Sequence, residues 1–78
     1  MNDKNTDFPV YRMMSGRKVY YEIHSDRLFT EYSWIGVKLI RFEMEAKQYP
    51  EILRIQDMIQ CVEPFVAISK EMFEKITN

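Results

Sequence analysis

The stretch of sequence that decides the fold runs from Val10 to Ala46 and reads VYRMMSGRKVYYEIHSDRLFTEYSWIGVKLIRFEMEA. Apolar and polar residues alternate through it almost without a break, and this is the period of a β-strand with one buried face. The alternation is interrupted at Ser15-Gly16, at Ser25-Asp26 and at Gly36, which are residue types that favour turns. The pattern therefore predicts four antiparallel strands joined by short turns, at about residues 9–14, 17–24, 27–34 and 38–46.

The turns also predict a register. Two-residue loops centred on the first two interruptions pair Val19 with Arg12 on one side and with Tyr32 on the other, and both turns give the same apolar face. At Gly36 a two-residue loop would bring Arg41 and Glu43 onto that face, so a three-residue loop is preferred, with a bulge as the alternative. The predicted inner face then carries Val10, Met14, Val19, Tyr21, Ile23, Leu28, Tyr32, Trp34, Ile40, Phe42 and Met44.

A helical period follows the strands. Pro50 suits the first position of a helix, and the apolar residues that follow it have helical spacing up to Val62, which predicts a helix over about 50–61. Ser69 is a typical N-cap for a second, short helix over 70–76. Residues 65–68 fit either an edge strand or an extended link. The predicted fold class is α+β, a four-stranded antiparallel meander with two C-terminal helices packed on one face.

Length and cysteine content limit how such a chain is stabilised. Its 78 residues predict one small domain over residues 9–78 with a thin core, after a polar and frayed segment at residues 1–8. Cys61 is the only cysteine and His24 the only histidine, which excludes an intrachain disulfide and a closed zinc site. Self-association is the remaining support. The lone cysteine favours a reducing cytosol, and no apolar run approaches the roughly 18 residues of a membrane span, so we expect a cytoplasmic protein.

The polar residues give little sign of catalysis. His24 is expected in a solvated turn, and Cys61 is expected to be a small buried residue near the end of the first helix, where the helix dipole does not activate a thiol. The glutamates of the strands alternate with other charges, as on a solvated sheet face. Gly16 and Gly36 are too few for a phosphate-binding loop. The sequence therefore predicts no enzyme, no catalytic residues, no cofactor and no metal.

The outer face of the predicted sheet carries the one functional hypothesis. Aromatic, apolar and basic side chains are mixed there, which is typical of protein interfaces. The candidate interface residues are Tyr11, Met13, Lys18, Tyr20, Phe29, Leu39 and Arg41. We expect a protein-interaction or assembly module, with a homodimer through this face or through an edge strand as one form of it.

The alternative is a small protein that binds single-stranded nucleic acid. In that case bases would stack on the aromatic residues of the same face, and basic side chains would contact phosphates. The residues involved would be Tyr11, Lys18, Tyr20, Phe29 and Arg41. The net charge of -1 and the glutamates interspersed on the strands count against it, because a phosphate backbone requires a positive surface.

Overall fold

The computed structural model describes residues 7–78. Its elements in chain order are β1 (Val10–Met14), β2 (Val19–Ile23), β3 (Leu28–Ile35), β4 (Lys38–Glu45), α1 (Tyr49–Ile59), β5 (Phe65–Ile68) and α2 (Lys70–Thr77). Most of the segment predicted to be frayed, residues 1–6, lies outside the described residues, while Asp7 and Phe8 are exposed. The antiparallel sheet, the two helices and the α+β class are confirmed.

The sheet has five strands rather than the predicted four. The strand order is β4-β3-β2-β1-β5, and every neighbouring pair is antiparallel. Residues 65–68 form the fifth strand, which pairs with β1 from Tyr11 opposite Ile68 to Met14 opposite Phe65. Phe65 is drawn in because its ring packs edge-on against Tyr21, with the ring centroids 5.6 Å apart. The open edges are consequently β4 and β5, and not β1 as predicted.

The first two turns are longer than predicted. Arg12 pairs with Tyr21 instead of Val19, a shift of two residues that leaves each side chain on its predicted face. At the second turn Tyr21 pairs with Glu31 instead of Thr30. A shift of one residue exchanges the two faces of a strand, so Phe29 points into the core, whereas Tyr32 lies on the opposite side.

The third turn is the two-residue loop Gly36-Val37, with Ile35 opposite Lys38. Gly36 has a φ of +64°, the positive value that glycine supplies at the first position of a type II′ hairpin turn. The predicted three-residue loop is wrong by one residue. This error cancels the one-residue error at the second turn, so that Ile40 and Phe42 lie on the predicted side of the sheet.

The two helices cover opposite faces of the sheet, and the prediction of both on one face is wrong. Ile55 and Met58 of α1 pack with Tyr21, Ile23 and Phe29, and we name that side the α1 face. On the other side, the α2 face, the ring centroid of Phe73 lies 4.7 Å from that of Tyr11 and 5.2 Å from that of Tyr32. The observed register of β3 explains why α2 packs on this face, because it places Tyr32 there, where Phe73 contacts it.

Local capping fixes where the helices begin and end. The Ser69 hydroxyl accepts a hydrogen bond from the backbone N–H of Met72 at 3.0 Å, so the predicted N-cap of α2 is confirmed. After α1, Cys61 has a φ of +58°, and the N–H groups of Cys61 and Val62 bond to the carbonyls of Met58 and Asp57. This pair of bonds is a Schellman motif, in which the residue with positive φ is usually glycine. Within residues 7–78, neither helix has the length and apolar character needed to cross a bilayer.

Candidate interaction surface

The structure separates the seven residues that were predicted to form one interface. Five of them remain accessible on or beside the α2 face: Lys18 and Arg41 are exposed, and Met13, Tyr20 and Leu39 are half-buried. Lys18 lies in the turn before β2 rather than in a strand. These five residues therefore remain candidates for contact.

The other two residues, Tyr11 and Phe29, are occupied by the fold itself. The side chain of Tyr11 is 8% exposed, because Phe73 of α2 stacks on it. Phe29 lies on the α1 face, where it is 1% exposed and packs edge-on against Tyr21, so its predicted place on the outer face is wrong. The row of outward aromatic residues that the sequence predicted is therefore broken at two positions.

Polar contacts on the α2 face are mostly internal. The Tyr32 hydroxyl donates a hydrogen bond to Glu22 Oε1 at 3.2 Å. A hydrogen bond with Tyr32 raises the pKa of the Arg41 guanidinium, with Glu43 adding to the effect. Burial, and to a lesser extent the charge of Glu22, raises the pKa of the Tyr11 hydroxyl. Arg41 and Glu43 are the charged residues of this group that are exposed at the edge of the sheet.

Four of the large exposed apolar side chains cluster in one hairpin that the sequence analysis did not single out. Ile35 is 67% exposed, Val37 98%, Ile40 39% and Phe42 53%. We name these four residues the hairpin patch. The available sequence signal was the pair Ile35 and Val37 around Gly36, since β-branched apolar residues are unusual at the tip of a hairpin.

The hairpin patch is open because α1 takes a different path across the sheet. The helix begins directly after β4 and contacts β1 and β5 at the far side, with Met44 at the border of the core. Further along β4, Phe42 stands opposite Glu31, and Ile40 stands opposite Ser33. These polar neighbours on β3 do not favour covering this part of the sheet with a helix, so the apolar side chains of β4 remain in solvent.

The outer edge of β4 coincides with this patch. The backbone N–H of Ala46 donates to the carbonyl of Arg27 at 2.7 Å, and backbone hydrogen bonds alternate along an antiparallel pair. The N–H and C=O groups of the odd-numbered residues, Leu39, Arg41, Glu43 and Glu45, therefore point away from β3. Among residues 7–78, no strand pairs with them. Unpaired backbone groups of this kind are a template for strand addition.

Two residues that were considered for catalysis, His24 and Cys61, both have a place in the structure of the fold. His24 Nε2 lies 2.9 Å from Thr30 Oγ1, and Thr30 is fully buried, so the imidazole bonds to a buried hydroxyl and is half-buried rather than solvated as expected. Cys61 is exposed, and the expectation of a buried cysteine is wrong because the residue lies in the Schellman turn beyond the helix. In the described part of the chain, no three His, Cys, Asp or Glu side chains form a group that could hold a metal ion.

One open cleft of about 350 Å³ lies where β1 begins and β5 ends. It is lined by Pro9, Val10, Tyr11, Arg12, Ile68 and Lys70. The lining contains no carboxylate, imidazole or thiol, and Arg12 is already engaged with the end of α1.

Comparison of the chain with protein-family models, with curated proteins and with solved structures gave no match.

Proposed function

We propose that this protein is a non-enzymatic interaction module whose contact site is the hairpin patch together with the outer edge of β4. The observation that carries the proposal is the coincidence of the two features on one strand. Exposed apolar side chains grouped in a single hairpin are a feature of interaction sites. An unpaired edge beside them supplies backbone hydrogen bonds.

The two features act together in strand addition. Main-chain hydrogen bonds along the edge give affinity, and the side chains that alternate along the strand give specificity. On β4 these side chains are Ile40 and Phe42 on the α1 face and Arg41 and Glu43 on the α2 face. A partner strand would cover both apolar residues and would meet charges of both signs, which favours a defined register.

Protein binding is better supported than nucleic-acid binding. Base stacking needs accessible aromatic faces, yet Tyr11 is covered by α2 and Phe29 is in the core. Arg41, which would contact phosphates, shares its strand with Glu43 and Glu45. The mixture of signs suits a protein partner more than a phosphate backbone.

A capture experiment with matched variants tests the proposal. The tagged full chain, a Val37→Lys/Phe42→Lys variant and a Leu53→Lys/Met72→Lys control would be expressed in the source cells, and captured proteins would be identified by mass spectrometry. The control changes exposed apolar residues on the helices. We expect the same partner, including untagged copies of this chain, with the wild type and the control but not with the hairpin variant. Equal capture by all three, or recovery of nucleic acid alone, would contradict the proposal.

A further inference from the structure

We infer that the partner of β4 is a second copy of this chain, paired antiparallel through the same strand about a two-fold axis that passes beside Phe42. The inference rests on the proposed function, because it specifies the occupant of the site proposed there. The two sheets would then continue into each other across the axis. Self-complementarity of the charges along β4 carries the inference.

Geometry first restricts the registers that are allowed. Only the odd-numbered residues of β4 have backbone groups that point outward, so hydrogen-bonded pairs must join an odd residue of one copy to an odd residue of the other. The same rule keeps the two α1 faces on one side of the joined sheet, because residues directly opposite each other share a face. The axis must therefore pass beside a residue of β4 and not between two residues.

The charges then select one of these registers. With the axis at Phe42, Arg41 lies opposite the partner's Glu43, and by symmetry Glu43 lies opposite the partner's Arg41. With the axis at Arg41, that residue faces its own charge in the other copy. With the axis at Glu43, Arg41 lies opposite the partner's Glu45, but Glu43 faces the partner's Glu43. With the axis at Met44, Glu43 faces the partner's Glu45. Opposite charges directly across a strand pair stabilise it and like charges destabilise it, so the register at Phe42 is favoured.

The same register also covers the exposed apolar residues of β4. Phe42 meets the partner's Phe42 on the axis, and Ile40 meets the partner's Met44 on each side of it. All of these side chains are on the α1 face, and Phe42 is 53% exposed and Ile40 39% exposed in the single chain. The register that pairs the charges therefore also forms an apolar ladder without a charged residue opposite either of them.

Closure favours this pairing over a continuing array. A two-fold contact uses the same surface on both copies and ends with a dimer. Pairing of β4 with the other open edge, β5, would leave a free edge on each copy and would continue into a filament. The short strand β5, with the sequence Phe-Val-Ala-Ile, offers no charged residue to match Arg41 or Glu43.

Charge reversal tests the pairing. Sedimentation equilibrium of the wild type should give a mass near twice 9.5 kDa. Arg41→Glu and Glu43→Arg, each alone, place like charges opposite each other twice and should weaken the dimer about tenfold or more. An equimolar mixture of the two variants restores opposite charges at both positions and should form a heterodimer at least as tight as the wild type. Asp57→Lys, an exposed charge reversal on α1, should leave the dimer unchanged.

Cross-linking tests the register directly. In a Cys61→Ser background, Phe42→Cys places two thiols opposite each other at a position where Cα atoms of paired strands lie about 4.5 Å apart, within the range for a disulfide. We expect rapid formation of a covalent dimer on mild oxidation. Ile40→Cys in the same background should remain uncross-linked, whereas Ile40→Cys combined with Met44→Cys should cross-link.

Three results would overturn the inference: a wild-type monomer at millimolar concentration, a mixture of the charge variants that fails to associate, or cross-linking at Ile40→Cys without cross-linking at Phe42→Cys. Circular dichroism of each variant would establish that it is folded. A monomer whose hairpin still captures another protein would overturn this inference and leave the proposed function standing. A monomer with no hairpin-dependent capture would overturn both.

Discussion

The indole Nε1–H of Trp34 donates a hydrogen bond of 3.0 Å to the backbone carbonyl of Ile76, and this bond joins β3 to the last turn of α2. Trp34 is the only tryptophan of the chain. Its fluorescence therefore reports whether α2 is docked as long as the sheet remains folded. An eight-residue helix does not persist in water without such contacts, so docking and helix formation are coupled.

We expect Phe73→Ala to release α2 from the sheet. The substitution removes the ring that packs on Tyr11 and Tyr32, at a cost of about 3 kcal/mol in the free energy of unfolding. The emission of Trp34 should shift to longer wavelength, and helical circular dichroism should fall. Met72→Ala is the matched control, because Met72 is 50% exposed on the same helix. An unchanged emission in Phe73→Ala would contradict the docking role.

Arg12, on strand β1, caps the C-terminal end of α1. Its Nε donates to the carbonyl of Met58 at 2.8 Å, and its second terminal nitrogen donates to that of Ile59 at 3.0 Å, while the last turn of α1 has no basic residue of its own. Arg12→Lys loses this forked geometry and should cost about 2 kcal/mol. Urea unfolding measures the change. Arg17→Lys, in the exposed turn after β1, should have no effect.

Cys61 holds a backbone conformation that disfavours a side chain. At its φ of +58° a residue other than glycine is strained by about 1 kcal/mol or more. Relief of this strain in Cys61→Gly should raise the free energy of unfolding by about 1 kcal/mol. The greater conformational entropy of glycine in the unfolded chain offsets part of that gain. Thermal unfolding of Cys61→Gly beside Cys61→Ala measures this effect. An equal gain in both variants would mean that the thiol, and not the backbone, limits stability.

Glu51 makes the stability of α1 depend on pH. Its carboxylate accepts hydrogen bonds from the backbone N–H groups of Lys47 and Gln48 at 2.9 and 3.2 Å, which lower its pKa from the ordinary value of a glutamate. A lowered pKa gives stability that is present above the unfolded-state pKa and is lost as the pH falls through the folded-state pKa. Wild type should exceed Glu51→Gln in stability at pH 7, and the difference should shrink by pH 3. A difference that stays constant over this range would exclude the charge as its source.

Local sequence signals predicted where the helices and strands lie. Long-range packing decided which side chains of each strand face the core. Pro50 and Ser69 mark helix starts in the sequence because capping is local. Ser25-Asp26 marks the turn after β2 but not its length: His24 and Ser25 both donate backbone N–H groups to the carbonyl of Leu28, and one extra residue in the loop inverts β3. The burial of Phe29 against Tyr21 and α1 fixes that choice, and α1 comes later in the chain.

The sequence predicted the edge strand of the candidate site but not which of its side chains are exposed. The alternation predicted a sheet with an open edge at residues 38–46, and β4 is one. It did not predict the exposure of Ile40 and Phe42, because that depends on the path of α1 across the sheet. It also could not reveal that Tyr11 is covered, since α2 was expected on the opposite face.

The position of β5 has a consequence for biosynthesis. Strand β1 is made before β2, β3 and β4, but its outer edge is paired only by residues 65–68, which are made after α1. Until then the nascent meander presents two bare edges, one at β1 and one at β4, and an unpaired edge can join a neighbouring chain. Once residues 65–68 have paired with β1, the remaining edges are β4 and β5, and β4, with eight residues, is the longer of the two. The contact proposed at β4 therefore uses the longer edge.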